Sequence, residues 1–259
     1  MKGLSLLKRT AEGKFPFGFY ASTVVDGLTV GISRFPFKEG PKENTMVFLT
    51  LKNSPEVLEE FRRAAKELNV LNLLKVQKQT LYDFNLLESG DYFLVKGEFQ
   101  GINLSLETFK PFIELKKRLE PHLFAFKGIE ADYAKSASEY STGEKWADAM
   151  VEAASEAPFK AVIPLDSYYS TSFEVNSVVS GSEEPLRVFA GVRKRLYSGF
   201  ISPEEVEVSY PSSAFLEVNH GKLYAVVPLH GITINEALKE LRRARVKERG
   251  EEEDIKIRF

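Results

Sequence analysis

The chain contains no cysteine, and this single absence excludes several kinds of chemistry. Without a thiol the protein cannot form a disulfide, hold zinc or an iron–sulfur cluster through thiolates, or use a cysteine nucleophile. Histidine occurs only three times, so few imidazoles are available as metal ligands or as acid–base groups. Carboxylates, hydroxyls and one well-placed imidazole are the groups left for catalysis.

Long apolar runs are also lacking. No stretch approaches the ~20 residues that a membrane-spanning helix needs. The basic pair Lys8-Arg9 follows Met1 without the apolar segment of a secretory signal. We therefore expect a cytoplasmic protein with no membrane partner. The net charge of −2 predicts no global attraction to nucleic acid, although a local basic patch is compatible with it.

Residues that are sensitive to heat are scarce. Met occurs three times, the glutamines are Gln77, Gln79 and Gln100, and only seven of the 37 acidic residues are Asp. Lys, Arg and Glu are abundant, a composition associated with surface ion-pair networks in hot organisms. The composition therefore predicts a protein of a hyperthermophilic organism.

Hydrophobic periodicity predicts an α+β fold with predominantly antiparallel sheets, a helical middle segment and a capped C-terminal helix followed by an edge strand. Asp26-Gly27 joins two β-rich runs and is typical of a tight hairpin turn. Thr233 and Glu236 have capping-box spacing before the last helix. The alternating residues 255–259 predict the edge strand.

The same patterns predict three regions along the chain. An N-terminal α+β unit covers 1–107, a helical segment covers 108–157, and a C-terminal β-rich α+β unit covers 158–259. Both outer units carry a hairpin with a helix shortly after it, but that likeness is too general to predict an internal duplication.

Asp166 and His230 are the candidates for catalysis. Asp166 follows an apolar strand, and His230 joins a strand end to a helix N-terminus, where catalytic groups and anions are often found. The structural alternative is a capped loop in which Asp166 accepts hydrogen bonds from backbone N–H groups. His220, His230, Asp166 and Glu217 lack the spacing of a metal motif, and no phosphate loop, dinucleotide motif or serine elbow is present. We expect no metal and no cofactor.

Two basic clusters, one of them beside Tyr197, predict a second kind of site. Cations interleaved with aromatic rings suit phosphate contact and base stacking, although cations at a helix C-terminus also complement its dipole. The residues predicted to contact nucleic acid or a partner are Arg187, Arg193, Lys194, Arg195, Tyr197, Arg242, Arg243 and Arg245.

Aromatic residues on both sides of the first hairpin predict a protein interface. Phe15, Phe17 and Phe19 would share one face of a strand, and Phe35 and Phe37 follow the second strand. The structural alternative is burial in the core, but rings beside Gly, Pro and Lys at strand ends often contact another protomer or partner.

Two hypotheses follow. The first is a non-catalytic binding or assembly protein that uses the aromatic residues for self-association or a protein partner and the basic residues for nucleic acid or a ribonucleoprotein. The second is an enzyme or small-molecule-binding protein with an acid/base pocket near Asp166 and His230. A flavin-binding barrel is a variant of the second hypothesis, but no phosphate-cradling motif supports it.

Overall fold

The computed structural model describes residues 2–83, 88–124, 142–154, 158–175, 188–198, 206–219 and 222–248. Within these ranges the helices are α1 (Lys2–Glu12), α2 (Pro55–Glu67), α3 (Leu106–Arg118), α4 (Lys145–Ala154) and α5 (Ile234–Leu241). The first strands are β1 (Phe19–Val25), β2 (Leu28–Phe35), β3 (Lys42–Lys52), β4 (Leu74–Asp83), β5 (Glu88–Gln100) and β6 (Phe159–Pro164). The remaining strands are β7 (Tyr169–Val175), β8 (Val188–Ser198), β9 (Val206–Ser209), β10 (Phe215–Asn219), β11 (Lys222–Pro228) and β12 (Arg245–Glu248).

One ten-stranded antiparallel sheet dominates the structure, which confirms the predicted α+β class. Its strand order is β10-β11-β8-β7-β6-β1-β2-β3-β5-β4. Strands β1 and β6 pair at its centre, with Tyr20 opposite Val162. The sheet therefore joins strands from the predicted N-terminal and C-terminal units through direct hydrogen bonds.

The two halves of this sheet have the same topology, which the sequence did not reveal. The order β1-β2-β3-β5-β4 in one half repeats as β6-β7-β8-β11-β10 in the other. A helix precedes the first strand of each half, α1 or α4, and another follows its last hairpin, α3 or α5. The halves are thus related by an approximate twofold axis between β1 and β6.

The sheet curls towards a barrel. Cα atoms of its two edge strands, β4 and β10, come within 8 Å of each other. Helix α1 crosses β1 so closely that a Cβ on Gly3 would lie 2.0 Å from the Thr23 hydroxyl. Since strand residues alternate in direction, Thr23 faces the helices while Tyr20 and Ser22 face the enclosed interior, which we call the lumen.

The helices and the outer face of the sheet form the apolar core. Fully buried side chains from helices and strands meet there, among them Leu7, Phe19, Phe61, Phe109 and Leu115. In the described ranges, none of the helices combines the length and apolarity needed to cross a membrane.

The local signals at turns and caps are confirmed. Asp26 and Gly27 have φ of 48° and 81°, and Val25 pairs with Leu28 across this two-residue turn. Thr233 and Glu236 form the complete capping box of α5.

A short strand follows the last helix. The last helix ends at Leu241, so Arg245 lies on strand β12, which pairs with β9 in a separate two-stranded sheet. Residues 255–259, where the edge strand was predicted, and Arg187 lie outside the described residues.

Candidate functional site

The structure places Asp166 and His230 at opposite ends of the sheet. The turn of Asp166 meets β8 at Arg195, whose N–H donates to the carbonyl of Tyr168 over 2.8 Å. His230 follows Leu229, whose N–H donates to the carbonyl of Ala190 over 2.8 Å. Ala190 and Arg195 are five positions apart on β8, about 17 Å at the rise of a strand. Asp166 and His230 therefore do not share a pocket, and the predicted acid/base site is wrong.

Asp166 instead shapes the turn between β6 and β7. Its Oδ1 atom accepts hydrogen bonds from the N–H groups of Tyr168, at 2.7 Å, and Tyr169, at 2.8 Å. This is the capped loop that the sequence offered as the structural alternative. Both lone-pair directions of that oxygen are used to hold the two tyrosines in place.

The residues considered for a metal are also dispersed. His230 is exposed, Glu217 binds Arg193, and His220 lies outside the described residues. No three acidic or histidine side chains in the described ranges are grouped so that they could hold a metal ion.

Arg193 was predicted to lie on a surface that contacts nucleic acid or a partner, but its side chain faces the lumen. Its side chain is 9% exposed, and Nε donates to Glu217 Oε2 over 2.8 Å. Arg193 and Lys194 are consecutive on β8, so their side chains point to opposite faces of the sheet. The alternation sends Lys194 outwards and makes Arg193 part of an interior ion pair.

The lumen is polar. The buried polar side chains of its wall are Ser22, Ser33, Asn44, Ser172 and Arg193. Burial alone would raise the pKa of Glu217, but the positive charges of Arg193 and Lys160 outweigh it and lower that pKa. Lys160 lies on β6, four strand positions from Glu217 on β10. It therefore acts on Glu217 across the lumen.

Tyr20 provides a test of this enclosed interior. Burial raises the pKa of Tyr20 to about 12, against a smaller opposing effect of its hydrogen bond to Ser22. Because the folded protein holds the Tyr20 proton more tightly than the unfolded chain does, Tyr20 contributes to the stability of the fold. This contribution is fully present below the ordinary pKa near 10, and it is lost as the pH rises through about 12. We expect Tyr20→Phe to leave the ultraviolet titration of the folded protein unchanged up to about pH 11, since the phenol stays protonated there.

The control for Tyr20→Phe is the same pair of proteins in denaturant. There the wild type should titrate all ten tyrosines and the variant one fewer. A folded variant that loses phenolate signal near pH 10 would show that the Tyr20 hydroxyl reaches solvent.

Where β8 meets the β6–β7 turn, Lys194 and Arg195 point to opposite faces of the sheet, and each lies beside one tyrosine of that turn. Lys194 Nζ lies 5.9 Å from the ring centroid of Tyr169 and donates to the carbonyl of Ala244 over 2.8 Å. Arg195 Cζ lies 5.9 Å from the ring centroid of Tyr168. Each cation is thus within cation–π distance of a ring.

Arg242 and Arg245 extend this cluster. The pKa of Lys194 is lowered, first by burial and then by the positive charge of Arg245. The pKa of Tyr169 is raised by burial and by Asp166, while Arg242 opposes that rise. Both arginines are exposed and act electrostatically on the Lys194–Tyr169 pair. We call Lys194, Arg195, Arg242, Arg245, Tyr168 and Tyr169 the basic patch.

The other predicted contact residues lie nearby or inside. Arg243 is exposed next to Arg242, just after α5, whereas Tyr197 packs partly buried against the core. Tyr168 and Tyr169 were not among the residues predicted from the sequence to contact a partner. The signal that could have identified them is the turn-forming Asp two and three residues before them.

The predicted aromatic interface divides into buried and exposed rings. Phe19 is fully buried, and Phe15 packs edge-on against it with ring centroids 5.7 Å apart. Phe35 is partly buried, while Phe17 is 53% exposed and Phe37 60% exposed. Gly18, with φ of 85°, donates to the Phe15 carbonyl in a turn, so the alternation expected of Phe15, Phe17 and Phe19 is broken.

Comparison with known proteins adds no functional information. No protein-family model, curated protein sequence or solved structure matches this chain.

Proposed function

We propose that this protein is a non-catalytic, cytoplasmic binding protein of a heat-adapted organism, and that its basic patch binds nucleic acid, free or within a ribonucleoprotein. The observation that carries the proposal is the convergence of Lys194, Arg195, Arg242 and Arg245 on the tyrosines of one turn. These cations come from β8, the end of α5 and β12, which are separate in the sequence.

The chemistry of the patch suits a polyanion with flat bases. Exposed arginines bind phosphate oxygens in a bidentate manner and release counterions from the nucleic acid. Tyr168 is 61% exposed and offers a ring for base stacking. The net charge of the whole chain is −2, so such binding depends on this local surface.

The test is the triple variant Arg195→Gln/Arg242→Gln/Arg245→Gln. We expect its affinity for a fluorescent oligouridylate of about 20 nucleotides to fall roughly 10- to 100-fold at low salt. Loss of three phosphate contacts should also reduce the slope of log affinity against log salt by about 2. Fluorescence anisotropy over a salt series measures both quantities.

A matched control removes the same charge elsewhere. Helix α2, which connects β3 and β4 in the other half of the structure, carries the exposed residues Arg62, Arg63 and Lys66. Their triple glutamine variant should bind like the wild type. The proposal fails if the wild type does not bind RNA or single-stranded DNA at low salt, or if both triple variants lose affinity equally.

A further inference from the structure

Three exposed rings lie at the same end of the barrel. The large apolar or aromatic side chains exposed in the described residues are Phe17, Phe37, Leu73, Leu106, Tyr168 and Tyr210. Phe17 precedes β1, Phe37 lies in the turn between β2 and β3, and Tyr168 lies in the turn between β6 and β7. Since β1 is antiparallel to both β2 and β6, these three segments share one end of the sheet. We call Phe17, Phe37 and Tyr168 the aromatic rim.

The pairing register places the rim residues at similar heights. Phe19 pairs with Arg34, Phe35 pairs with Lys42, and Tyr20 pairs with Val162. The β2–β3 turn and the β6–β7 turn lie on opposite sides of β1, and each is centred about one and a half strand spacings away from it. At the spacing of hydrogen-bonded strands, the centre of each turn is therefore offset sideways from the line of β1 by about 7 Å.

The rim begins at the basic patch. Tyr168 belongs to both, because Arg195 lies against its ring. Further along, exposed Lys14 and Lys38 stand near Phe17 and beside Phe37 in the chain. The rings are therefore accompanied by cations from one end of the row to the other.

We propose that Phe17 and Phe37 extend the basic patch into a continuous track for single-stranded nucleic acid. Bases stack on the three rings of the aromatic rim, while the arginines and lysines beside them contact phosphates. Bases within a duplex are paired and stacked on each other, so they are not available to these rings. This inference rests on the proposed function and specifies its ligand as an unpaired strand.

A second copy of the chain is the alternative occupant of the two phenylalanines. The local sequence favours the nucleic acid, because each of the two rings follows a proline and has a lysine within three residues. A strand with a regular negative charge complements this alternation of rings and cations. Self-association is therefore a distinct outcome of the experiment.

The experiment compares Phe17→Ala/Phe37→Ala with the wild type on three fluorescent probes. These are an oligouridylate of about 12 nucleotides, one of about 4 nucleotides, and a duplex of about 12 base pairs. We expect the double variant to lose at least roughly tenfold affinity for the longer strand and little for the shorter one, which the Tyr168 end alone accommodates. The salt slope should not change, because no cation is removed.

Three control measurements accompany the double variant. Phe17→Tyr/Phe37→Tyr keeps two stacking rings and should retain the affinity for the longer strand. Leu73→Ala, which shortens an exposed apolar side chain beside the edge strand β4, should bind like the wild type. Circular dichroism and the apparent mass of each variant in solution report folding and self-association.

The outcomes separate the inference from the proposed function. If the double variant binds the longer strand like the wild type while the triple arginine variant does not, the track is overturned and the basic patch stands. If the double variant changes only the oligomeric state, the rings are a self-association surface and the track is overturned. Equal wild-type affinity for duplex and single strand overturns the track, and no binding of any probe overturns both proposals.

Discussion

Replacing Glu217 with leucine is expected to lower the free energy of unfolding by about 3–5 kcal/mol. Glu217 binds Arg193 inside the lumen, where the two side chains are 19% and 9% exposed. Removing the carboxylate leaves the guanidinium buried without this counter-charge, which is more costly than losing a surface ion pair. Equilibrium unfolding in guanidinium chloride near neutral pH measures the change.

The double variant Arg193→Met/Glu217→Leu is the control for this effect. Replacing both charges with apolar groups of similar size should recover most of the lost stability. A single variant within about 1 kcal/mol of the wild type would show that water reaches the pair and screens it.

The pH dependence of the pair has a defined sign. The pKa of Glu217 is lowered in the folded protein, so its contribution is present above the ordinary value near 4.3. That contribution is lost as pH falls through the lowered pKa, because protonation then favours the unfolded chain. We expect the stability of the wild type relative to the double variant to fall in acid.

Replacing Gly18 with alanine is expected to lower the free energy of unfolding by about 2–4 kcal/mol. Gly18 has φ of 85°, and an added Cβ would lie 2.2 Å from the carbonyl oxygen of Arg34 and 2.8 Å from the Phe35 ring. The backbone must therefore move where β1 begins. Thermal and denaturant unfolding of the variant measure the loss.

Gly101→Ala separates the strain of the backbone from the collision. Gly101 has φ of 78°, but a Cβ there would meet no atom within 4 Å. Its cost should be about 1–2 kcal/mol, that of the left-handed conformation alone. Equal losses for the two variants would show that the chain around Gly18 relaxes without cost.

Local features of the fold could be predicted from the sequence because each depends on a few adjacent residues. Asp26-Gly27 supplies the positive φ values that a two-residue hairpin requires, and Thr233 with Glu236 satisfies the free N–H groups at a helix start. The pairing of β1 with β6 has no such signal. Tyr20 and Val162 are far apart in the chain, and only the closing of the whole sheet brings them together.

The candidate site could be predicted in composition but not in geometry. Arg193, Lys194 and Arg195 form one basic run in the sequence, yet β8 sends Arg193 into the lumen. A strand that is buried on both faces does not show which of its charges is interior. In the Phe15–Phe19 segment, the alternation of aromatic residues predicted a strand, but Gly18 forms a turn there.

The repeated topology of the two halves has a consequence for how many ligands one molecule can hold. A symmetric protein built from two identical halves would present equivalent loops at both ends of its barrel. Here the β1–β2 turn corresponds to the β6–β7 turn, but the former is only Asp26-Gly27 while the latter carries Tyr168. These two turns therefore differ within the described residues, and under the proposed function the β6–β7 turn would contribute a ring to one bound strand while the Asp26-Gly27 turn offers no such ring.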